Sequence, residues 1–437
     1  MTFSLKNWQS CLLILAVVVS MLWCANGAYG QSFATITGRI LDPKGASVPN
    51  ATITATNTET GLVRTTTTTS DGIYRFENLV PGIYDVAIEA SSFTKEEAKH
   101  VKLQVGELRD INFNLELAGQ KQSVVVTSEV PLIETTKTDS SMVIDDKSVA
   151  DLPTTTSFGG LSGAANDYQG LAASAPGVRY DYTGNSNDLI GPGSVNDRGI
   201  KVNIDGGNIS AGDTSARNAL GASVEEVKEF QVLSNNFNAE YGQATNLILN
   251  VITKSGTNQV HGDFHAYFRG RNMGASDFFY NQGFSAATPT DTHGCPLSDF
   301  SGGVLTKIDG CGRAAFFKHE YGFTVGGPFI KDRLFWFGSF EKVAEGVPET
   351  TTPFGNAITV TSPTNEIMGS AKVDAKLSDK HTLTVRYNLQ RDLSDNLIVQ
   401  TGGNTDPSGF VSQVAHDNTL NVGMVSTPTS PANRFPR

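Results

Sequence analysis

Strands with two chemically different faces dominate the sequence from residue 257 onward, and this pattern restricts the folds open to the chain. Near residue 385 the apolar set is Leu383, Val385, Tyr387 and Leu389, and the polar set is Thr382, Thr384, Arg386 and Asn388. Successive side chains of a strand point to opposite faces. A face that is polar and charged along its length suits a wet interior, with lipid on the other side, as in a membrane-spanning β-barrel.

The same alternation recurs in two other segments. Around residue 265, Phe264, Ala266 and Phe268 oppose Asp263, His265 and Arg269; around residue 373, Ala371, Val373, Ala375 and Leu377 oppose Lys372, Asp374 and Lys376. Tight turns are predicted at residues 330–333 and 377–381, and loops of about twenty residues after Lys342 and after Asp392. Six strands are predicted in all, the last over residues 418–425.

The composition fits a β-rich protein and argues against two other classes. The chain has 437 residues, of which 39% are hydrophobic and 44 are glycine, which suits two or three turn-rich domains. The net charge of −11, with scattered basic residues, argues against a nucleic-acid partner. Beyond residue 24, no apolar run approaches the ~20 residues that a spanning helix needs.

The first thirty residues have the features of a secretory signal peptide. Lys6 supplies a positive charge, residues 12–22 are apolar, and the residues before Gln31 form a predicted cleavage site. A membrane anchor is the alternative, but the apolar run is short for it. A lipid attached to Cys24 is disfavoured because Trp23 stands where a small residue is expected.

Two cysteines remain if cleavage removes Cys11 and Cys24. Cys295 and Cys311 are predicted to form a disulfide, because an even pair in an exported protein favours one. Neither lies in a Cys-x-x-Cys pair, so a zinc or redox site is not favoured there.

Residues 33–117 alternate apolar and polar side chains in short runs separated by turn signals such as Asp71-Gly72, and a final strand is predicted over residues 111–117. This spacing is typical of a small β-sandwich. The segments GRILDPKGASVPNATI and SDGIYRFENLVPGIYDV resemble the carboxypeptidase regulatory-like domain. The resemblance implies an immunoglobulin- or prealbumin-like sandwich without chemistry of its own.

Residues 223–257 contain a short acidic segment, a turn at Tyr241-Gly242 and an apolar, β-branched run. The segments VEEVKEFQV and EYGQATNLILNVITKSGT resemble the end of the plug domain in TonB-dependent outer-membrane receptors. The resemblance implies an α+β plug over residues 129–255 and a transmembrane antiparallel β-barrel from residue 256. YGFTVGGPFIKDRLFWFGSFE is a second match, and together with the sandwich it indicates the Oar-like branch.

A linker over residues 118–128 separates the predicted sandwich from the predicted plug. In receptors of this type a short Val/Thr segment at this place is the TonB box, which pairs edge to edge with a strand of TonB. The resemblance implies that role for Val124, Val125, Val126 and Thr127. An ordinary linker strand is the alternative.

The predicted plug also holds the candidate ligand contacts. Residues 185–196 are rich in Gly, Asn and Ser and are predicted to form an apical loop, although any flexible loop shares this composition. The segment from Arg198 to Gly207 resembles the plug strand that presents a loop toward the ligand. The candidate ligand-binding residues are Asn185, Asn187, Asp188, Asn196, Arg198 and Asp205.

No arrangement of residues points to catalysis, so neither enzyme activity nor a cofactor is expected. The sequence offers no evident Ser/His/Asp set, carboxylate pair or phosphate loop. His261, Asp263 and His265 share one face of a predicted strand, a spacing that could ligate a metal. A polar barrel lining explains the same residues, and no metal site is predicted.

The predicted barrel is incomplete. Receptors of this family have 22 strands, which the residues after 256 are too few to supply. An open sheet would leave unpaired edges in lipid. The sequence therefore predicts a fragment or the product of a truncated gene, which is not expected to transport.

The predicted function is that of a TonB-dependent outer-membrane receptor or transporter for an unidentified ligand. The predicted partners are TonB, outer-membrane lipid and a small or oligomeric extracellular ligand. A secreted or surface carbohydrate-binding or adhesion protein, built on the sandwich, is the alternative, and it predicts no lipid-facing alternation. A zinc carboxypeptidase would need a His-x-x-Glu motif, and none of the seven histidines begins one.

Overall fold

The structure is a computed structural model in which three β units follow one another along the chain. It describes residues 33–118, 124–126, 140–151, 171–181, 188–194, 199–209, 222–235, 237, 244–270, 297–301, 304–307, 317–351, 358–397 and 411–426. No helix within these ranges is long and apolar enough to cross a membrane.

The first unit, called here the N-terminal sandwich, packs two sheets face to face. Its strands are β1 (Ala34–Leu41), β2 (Thr52–Asn57), β3 (Val63–Thr67), β4 (Ile73–Leu79), β5 (Gly82–Glu89), β6 (Glu96–Leu103), β7 (Leu108–Asp110), β8 (Phe113–Asn114) and β9 (Val124–Val126). One sheet has the order β4-β1-β7 with β8 also on β1, and the other has the order β3-β2-β5-β6-β9. Alternate residues of the longer strands β1, β2, β4, β5 and β6, among them Ile36, Ile53 and Tyr84, fill an apolar core between the sheets.

The strand predicted over residues 111–117 is shorter in the structure. Within those residues only β8 (Phe113–Asn114) is a strand, and it pairs in parallel with β1, as β7 does just before it. A side chain interrupts the ladder between them, because Asn112 Oδ1 accepts a hydrogen bond from the Arg39 backbone N–H at 2.6 Å. Tyr74 donates its hydroxyl to the Ile111 carbonyl at 2.7 Å in the same place.

The second unit, called here the middle unit, is a mixed sheet with short helical pieces. Its elements are β10 (Ser140–Ile144), α1 (Asp146–Asp151), β11 (Arg179–Asp181), β12 (Asp188–Ile190), β13 (Ile200–Ile204), β14 (Gly207–Asn208), a 3-10 turn (Val224–Glu226), β15 (Val227–Asn235) and β16 (Leu247–Thr253). The main sheet has the order β10-β15-β16-β13-β14. All seven residues of β16 are buried, which explains why five of them are Leu, Ile or Val.

The third unit, called here the long sheet, is antiparallel throughout. Its region of the chain contains β17 (His261–Gly270), β18 (Leu297–Ser301), β19 (Val304–Lys307), β20 (Phe317–Ile330), β21 (Leu334–Thr351), β22 (Ile358–Ser378), β23 (His381–Leu397) and β24 (Val411–Ser426). The six-stranded sheet has the order β17-β20-β21-β22-β23-β24, and β18 and β19 form a separate hairpin. The mainly β fold expected from the sequence is confirmed.

The strands of the long sheet extend further than the sequence indicates. A loop was expected after Lys342, but β21 continues to Thr351 and β22 begins at Ile358. At about 3.3 Å per residue, the 18 residues of β21 span roughly 60 Å, about twice the thickness of a bilayer core. Backbone pairing between β21 and β22 continues to Thr351 and Ile358. The length of these strands is therefore not limited to the thickness of the bilayer.

The two faces of the long sheet reverse the usual burial of polar and apolar groups. Phe264 is 75% exposed and Leu420 is 64% exposed, whereas His265 is 8% exposed and Arg386 is 2% exposed. Val373 and Leu383 are partly exposed. The apolar face therefore lies outward, and the charged face lies against the middle unit. A sheet surrounded by lipid requires this arrangement, because its outer face must be apolar.

Candidate functional site at the contact between the middle unit and the long sheet

The 3-10 turn of the middle unit presents a buried carboxylate to the long sheet. Ser223 begins the turn, and its Oγ accepts a hydrogen bond from the Glu225 backbone N–H at 3.2 Å. Glu226 is 3% exposed and is paired with the guanidinium of Arg386 on β23. Ser339 on β21 donates a further hydrogen bond to Glu226 Oε2 at 2.7 Å.

A second carboxylate, that of Asp205, lies in the turn between β13 and β14. Its φ of 48° is in the left-handed region, which Asp adopts more readily than most residues. The backbone N–H and hydroxyl of Thr253 donate to its two oxygens at 3.0 and 2.6 Å. Lys372 Nζ on β22 lies 3.2 Å from Oδ1, and Arg386 Nε lies 3.7 Å from Oδ2.

These contacts form one network of two carboxylates and two cations across the interface. Burial alone would raise the pKa of the Asp205 carboxyl, but Lys372 and Arg386 hold that pKa below its ordinary value. Buried charges are tolerated when they are paired and hydrogen-bonded, and removal of one partner costs about 3–5 kcal/mol. We call Asp205, Glu226, Lys372 and Arg386 the interface network.

The chain passes from the middle unit into the long sheet through a close backbone contact. A Cβ atom at Gly256 would lie 2.3 Å from the Trp336 carbonyl oxygen and 2.6 Å from the Gly327 carbonyl oxygen. Only glycine fits there without displacement, which explains the Lys254-Ser255-Gly256 turn at this point.

The N-terminal sandwich also contacts the middle unit. The Val105 backbone N–H donates to Glu229 Oε1 at 2.7 Å, and Lys102 Nζ lies 3.1 Å from Asp145 Oδ2. Burial raises the pKa of Glu229 to about 7. The sandwich also reaches a turn of the long sheet, where Arg64 Nη1 donates to the Asp379 carbonyl oxygen at 3.0 Å.

The residues named from the sequence are only partly brought together. Val124, Val125 and Val126 form β9, whose backbone pairs in parallel with Glu96–Ala98 of β6. Asp188 begins β12, and Asp205 belongs to the interface network rather than to an open ligand surface. Thr127, Asn185, Asn187, Asn196, Arg198, Cys295 and Cys311 lie outside the described residues.

Sequence reasoning missed the partners in the interface network, although it placed two members on the correct face. Lys372 and Arg386 were assigned to the polar face of their strands, and both are buried there. Their acidic partners stand more than 150 positions earlier, so no local pattern connects them. One sequence feature could have indicated Glu226. It lies three residues after Ser223, a residue type that often begins a helical turn.

Two domain families match the chain. Residues 35–116 match the carboxypeptidase regulatory-like domain, and residues 252–355 match an outer membrane beta barrel domain. The first match coincides with the N-terminal sandwich, and the second with the start of the long sheet.

A similar protein is the TonB-dependent transporter Oar from Myxococcus xanthus, which is 25% identical over 418 residues. The aligned region covers 95% of this chain and 35% of that protein, so the chain spans about a third of the length of this relative.

Solved structures with some likeness include a ferric enterobactin receptor mutant from Pseudomonas aeruginosa and the outer membrane transporter YddB from Escherichia coli. The receptor has 13% identity and a TM-score of 0.44, covering 65% of this chain and 38% of that chain. YddB has 12% identity and a TM-score of 0.47, covering 66% and 37%. The two domain matches and the similarity to Oar along 95% of the chain support an outer-membrane protein of the TonB-dependent receptor type, with an Oar-like domain order.

Proposed function

We propose that the receptor to which these residues belong acts in TonB-dependent uptake across the outer membrane, with the middle unit as a removable stopper inside a barrel whose wall includes the long sheet. The interface network is the observation that carries this proposal. Its four charged side chains join stopper and wall through polar contacts, which water can replace when the stopper moves. Water could not replace the contacts of an apolar interface in this way.

The proposed handle for this movement is the segment Val124–Val126 with Thr127, acting as a TonB box. β9 stands at the edge of its sheet, next to β6. An edge strand presents unpaired backbone groups to which a strand of another protein can add. TonB would therefore add to the outer edge of β9 or replace β6 as its partner.

The ligand side of the proposed receptor is assigned to the middle unit and to loops of the long sheet. Asn185, Asn187, Asp188, Asn196 and Arg198 are retained as candidate ligand contacts. Asp205 is a weaker candidate, because its carboxylate already has three partners within the chain. The chain's role is binding and transport rather than catalysis, in keeping with the relative, which is a transporter.

Three further assignments belong to this proposal. The sandwich, stopper and barrel wall are assigned to residues 33–117, 129–255 and 256–437, in keeping with three units whose sheets share no strands. β9, from the linker over residues 118–128, joins a sheet of the sandwich. A disulfide between Cys295 and Cys311 would lie in the connection between β17 and β20.

The secreted carbohydrate-binding alternative fits less well, because a soluble protein would expose the apolar face of the long sheet to water.

The test is binding of the periplasmic C-terminal domain of TonB from the same organism to the full chain in detergent. Wild-type chain should bind saturably, and Val125→Pro should lose at least tenfold in affinity, because proline removes a backbone donor from the strand and disfavours its pairing. Val125→Thr is the matched control and should bind like wild type.

The proposal fails if the wild-type chain does not bind the TonB domain, or if Val125→Pro binds as tightly as wild type. Recovery of the full-length chain in the soluble secreted fraction would favour the carbohydrate-binding alternative.

A further inference from the structure

A histidine and two glutamates from three neighbouring strands meet on the buried face of the long sheet. His265 on β17 lies opposite Gly322 on β20, and Gly322 lies opposite Glu341 on β21. Glu320 stands two residues before Gly322 on the same face. Since Gly322 has no side chain, the His265 ring can extend over it; a Cβ there would lie 2.8 Å from His265 Cε1 and Nε2.

Three buried polar atoms in this pocket have no hydrogen-bond partner among the described residues. His265 is 8% exposed, and neither of its ring nitrogens has a hydrogen-bond partner among the described residues. The buried Glu341 Oε1 is likewise unpartnered within the described part of the chain. His265 Nε2 lies 3.5 Å from Glu341 Oε2, too far for a good hydrogen bond. Such groups are costly to bury unless something binds them.

The spacing of these atoms suits a shared metal ion. One ligand atom from each of His265, Glu320 and Glu341 lies within 4.8 Å of the others. Two ligands on one tetrahedral zinc, at bonds of ~2.0–2.1 Å, are about 3.3 Å apart. The observed 3.5 Å between His265 Nε2 and Glu341 is close to that separation.

The other ring nitrogen has the neighbour that a metal-bound histidine usually has. Asp263 Oδ2 lies 3.6 Å from His265 Nδ1, and Thr324 donates its hydroxyl to the other Asp263 oxygen. A carboxylate beside Nδ1 holds the proton there and leaves Nε2 free to ligate. Asp263 would therefore orient the ring rather than bind the ion.

Two of the three clustered groups are buried carboxylates. Glu320 and Glu341 are each 2% exposed, and Lys318 Nζ lies 3.2 Å from Glu320 Oε2. Carboxylate oxygens, like the imidazole nitrogens of histidine, are ordinary zinc ligands.

We propose that His265, Glu320 and Glu341 bind one divalent transition-metal ion of the zinc class. The ion joins β17, β20 and β21 at the point where Ser223 of the middle unit donates its hydroxyl to Glu341. It therefore fixes the first strands of the long sheet beside the middle unit. This site does not depend on TonB-dependent uptake.

The test uses the full chain in detergent, stripped with EDTA and titrated with Co²⁺ and Zn²⁺. Wild type should bind one equivalent, with a Co²⁺ visible absorption band of low-symmetry coordination and a Zn²⁺-dependent rise in melting temperature. His265→Gln and Glu341→Gln should each weaken binding at least a hundredfold and remove both signals. The matched control is His261→Gln, on the same strand four residues away, which should bind like wild type.

Unchanged far-ultraviolet circular dichroism of the stripped variants separates loss of a ligand from loss of the fold. If His265→Gln misfolds, Glu320→Gln provides the same test. The proposal is overturned if wild type shows no saturable binding at one equivalent, or if the folded His265→Gln variant binds as tightly as wild type. A pocket that only protonates would give the first of these results.

Discussion

The N-terminal sandwich and the long sheet share the same two-residue alternation, yet they bury opposite kinds of side chain. Ile36, Ile53 and Tyr84 are fully buried in the sandwich, while Arg386, Glu341 and other charged side chains are buried in the long sheet. The pattern of a strand therefore specifies two faces but not which face lies inside. What decides is the partner that covers each face: a second apolar sheet for the sandwich, and the carboxylates that the middle unit presents to the long sheet.

The largest expected effect comes from removing a buried charge of the long sheet. Arg386→Met leaves Glu226 buried without its cation and weakens the pairing of Asp205, so we expect a loss of about 3–5 kcal/mol. Urea unfolding in detergent, followed by Trp336 fluorescence, measures it. Arg391→Met, an exposed arginine of the same strand, is the control and should change stability by less than about 0.5 kcal/mol. Equal effects of the two variants would contradict the burial comparison.

The next effect compares apolar residues of the two units. Ile36→Ala empties a fully buried position of the sandwich and should cost about 2–5 kcal/mol. Leu420→Ala removes a side chain that is 64% exposed, so we expect less than about 0.5 kcal/mol for a protein in detergent. Hydrogen exchange of the β1 and β24 amides reports the two regions separately. A larger loss for Leu420→Ala would mean that its face is a packed interior.

A third prediction concerns pH at the contact between sandwich and middle unit. Burial raises the pKa of Glu229 from 4.5 to about 7, so the docked state disfavours the charged carboxylate. The contact should be most stable below pH 4.5 and should weaken as the pH rises from there to about 7, by up to about 3 kcal/mol. Exchange of the Val105 amide, corrected for its intrinsic rate, measures this. Glu229→Gln should abolish the dependence, and persistence in that variant would assign it to another group.

The smallest effect is expected for an ion pair at the surface of the sandwich. Lys95 Nζ lies 2.8 Å from Glu89 Oε1, a shorter separation than that between Lys372 and Asp205, but both side chains are more than half exposed. Lys95→Met should therefore cost less than about 1 kcal/mol, and the loss should shrink further in high salt. Urea titrations at two salt concentrations check it. A loss as large as that of Arg386→Met would mean that distance, not burial, sets the strength of these pairs.

The sequence was sufficient for what depends on local pattern. Alternation predicted the strands and the polar face of β23, and Asp71-Gly72 marked a turn before β4. It was not sufficient for strand length, because β21 and β22 extend each other by backbone pairing that requires no particular side chain. Nor could it pair Glu226 with Arg386, since their contact depends on how the middle unit lies against the long sheet.

The proposed metal site shows the same difference between what a local pattern predicts and what the pairing of strands adds. His265 was assigned to the polar face of its strand, but its relation to Glu341 runs across Gly322, which only the register of three strands reveals. The glycine carries no functional group of its own. Its contribution is the space that it leaves, which a search for chemically active residues does not detect.

The parallel pairing of β9 with β6 has a mechanical consequence. Three residues of each strand are joined by evenly spaced, slanted hydrogen bonds. Tension along the strand axis would load these bonds together, in shear, whereas tension across it would break them one after another, like a zipper. The direction of a pull on residues 124–126, and not its strength alone, would then decide how readily this segment comes away from the sandwich.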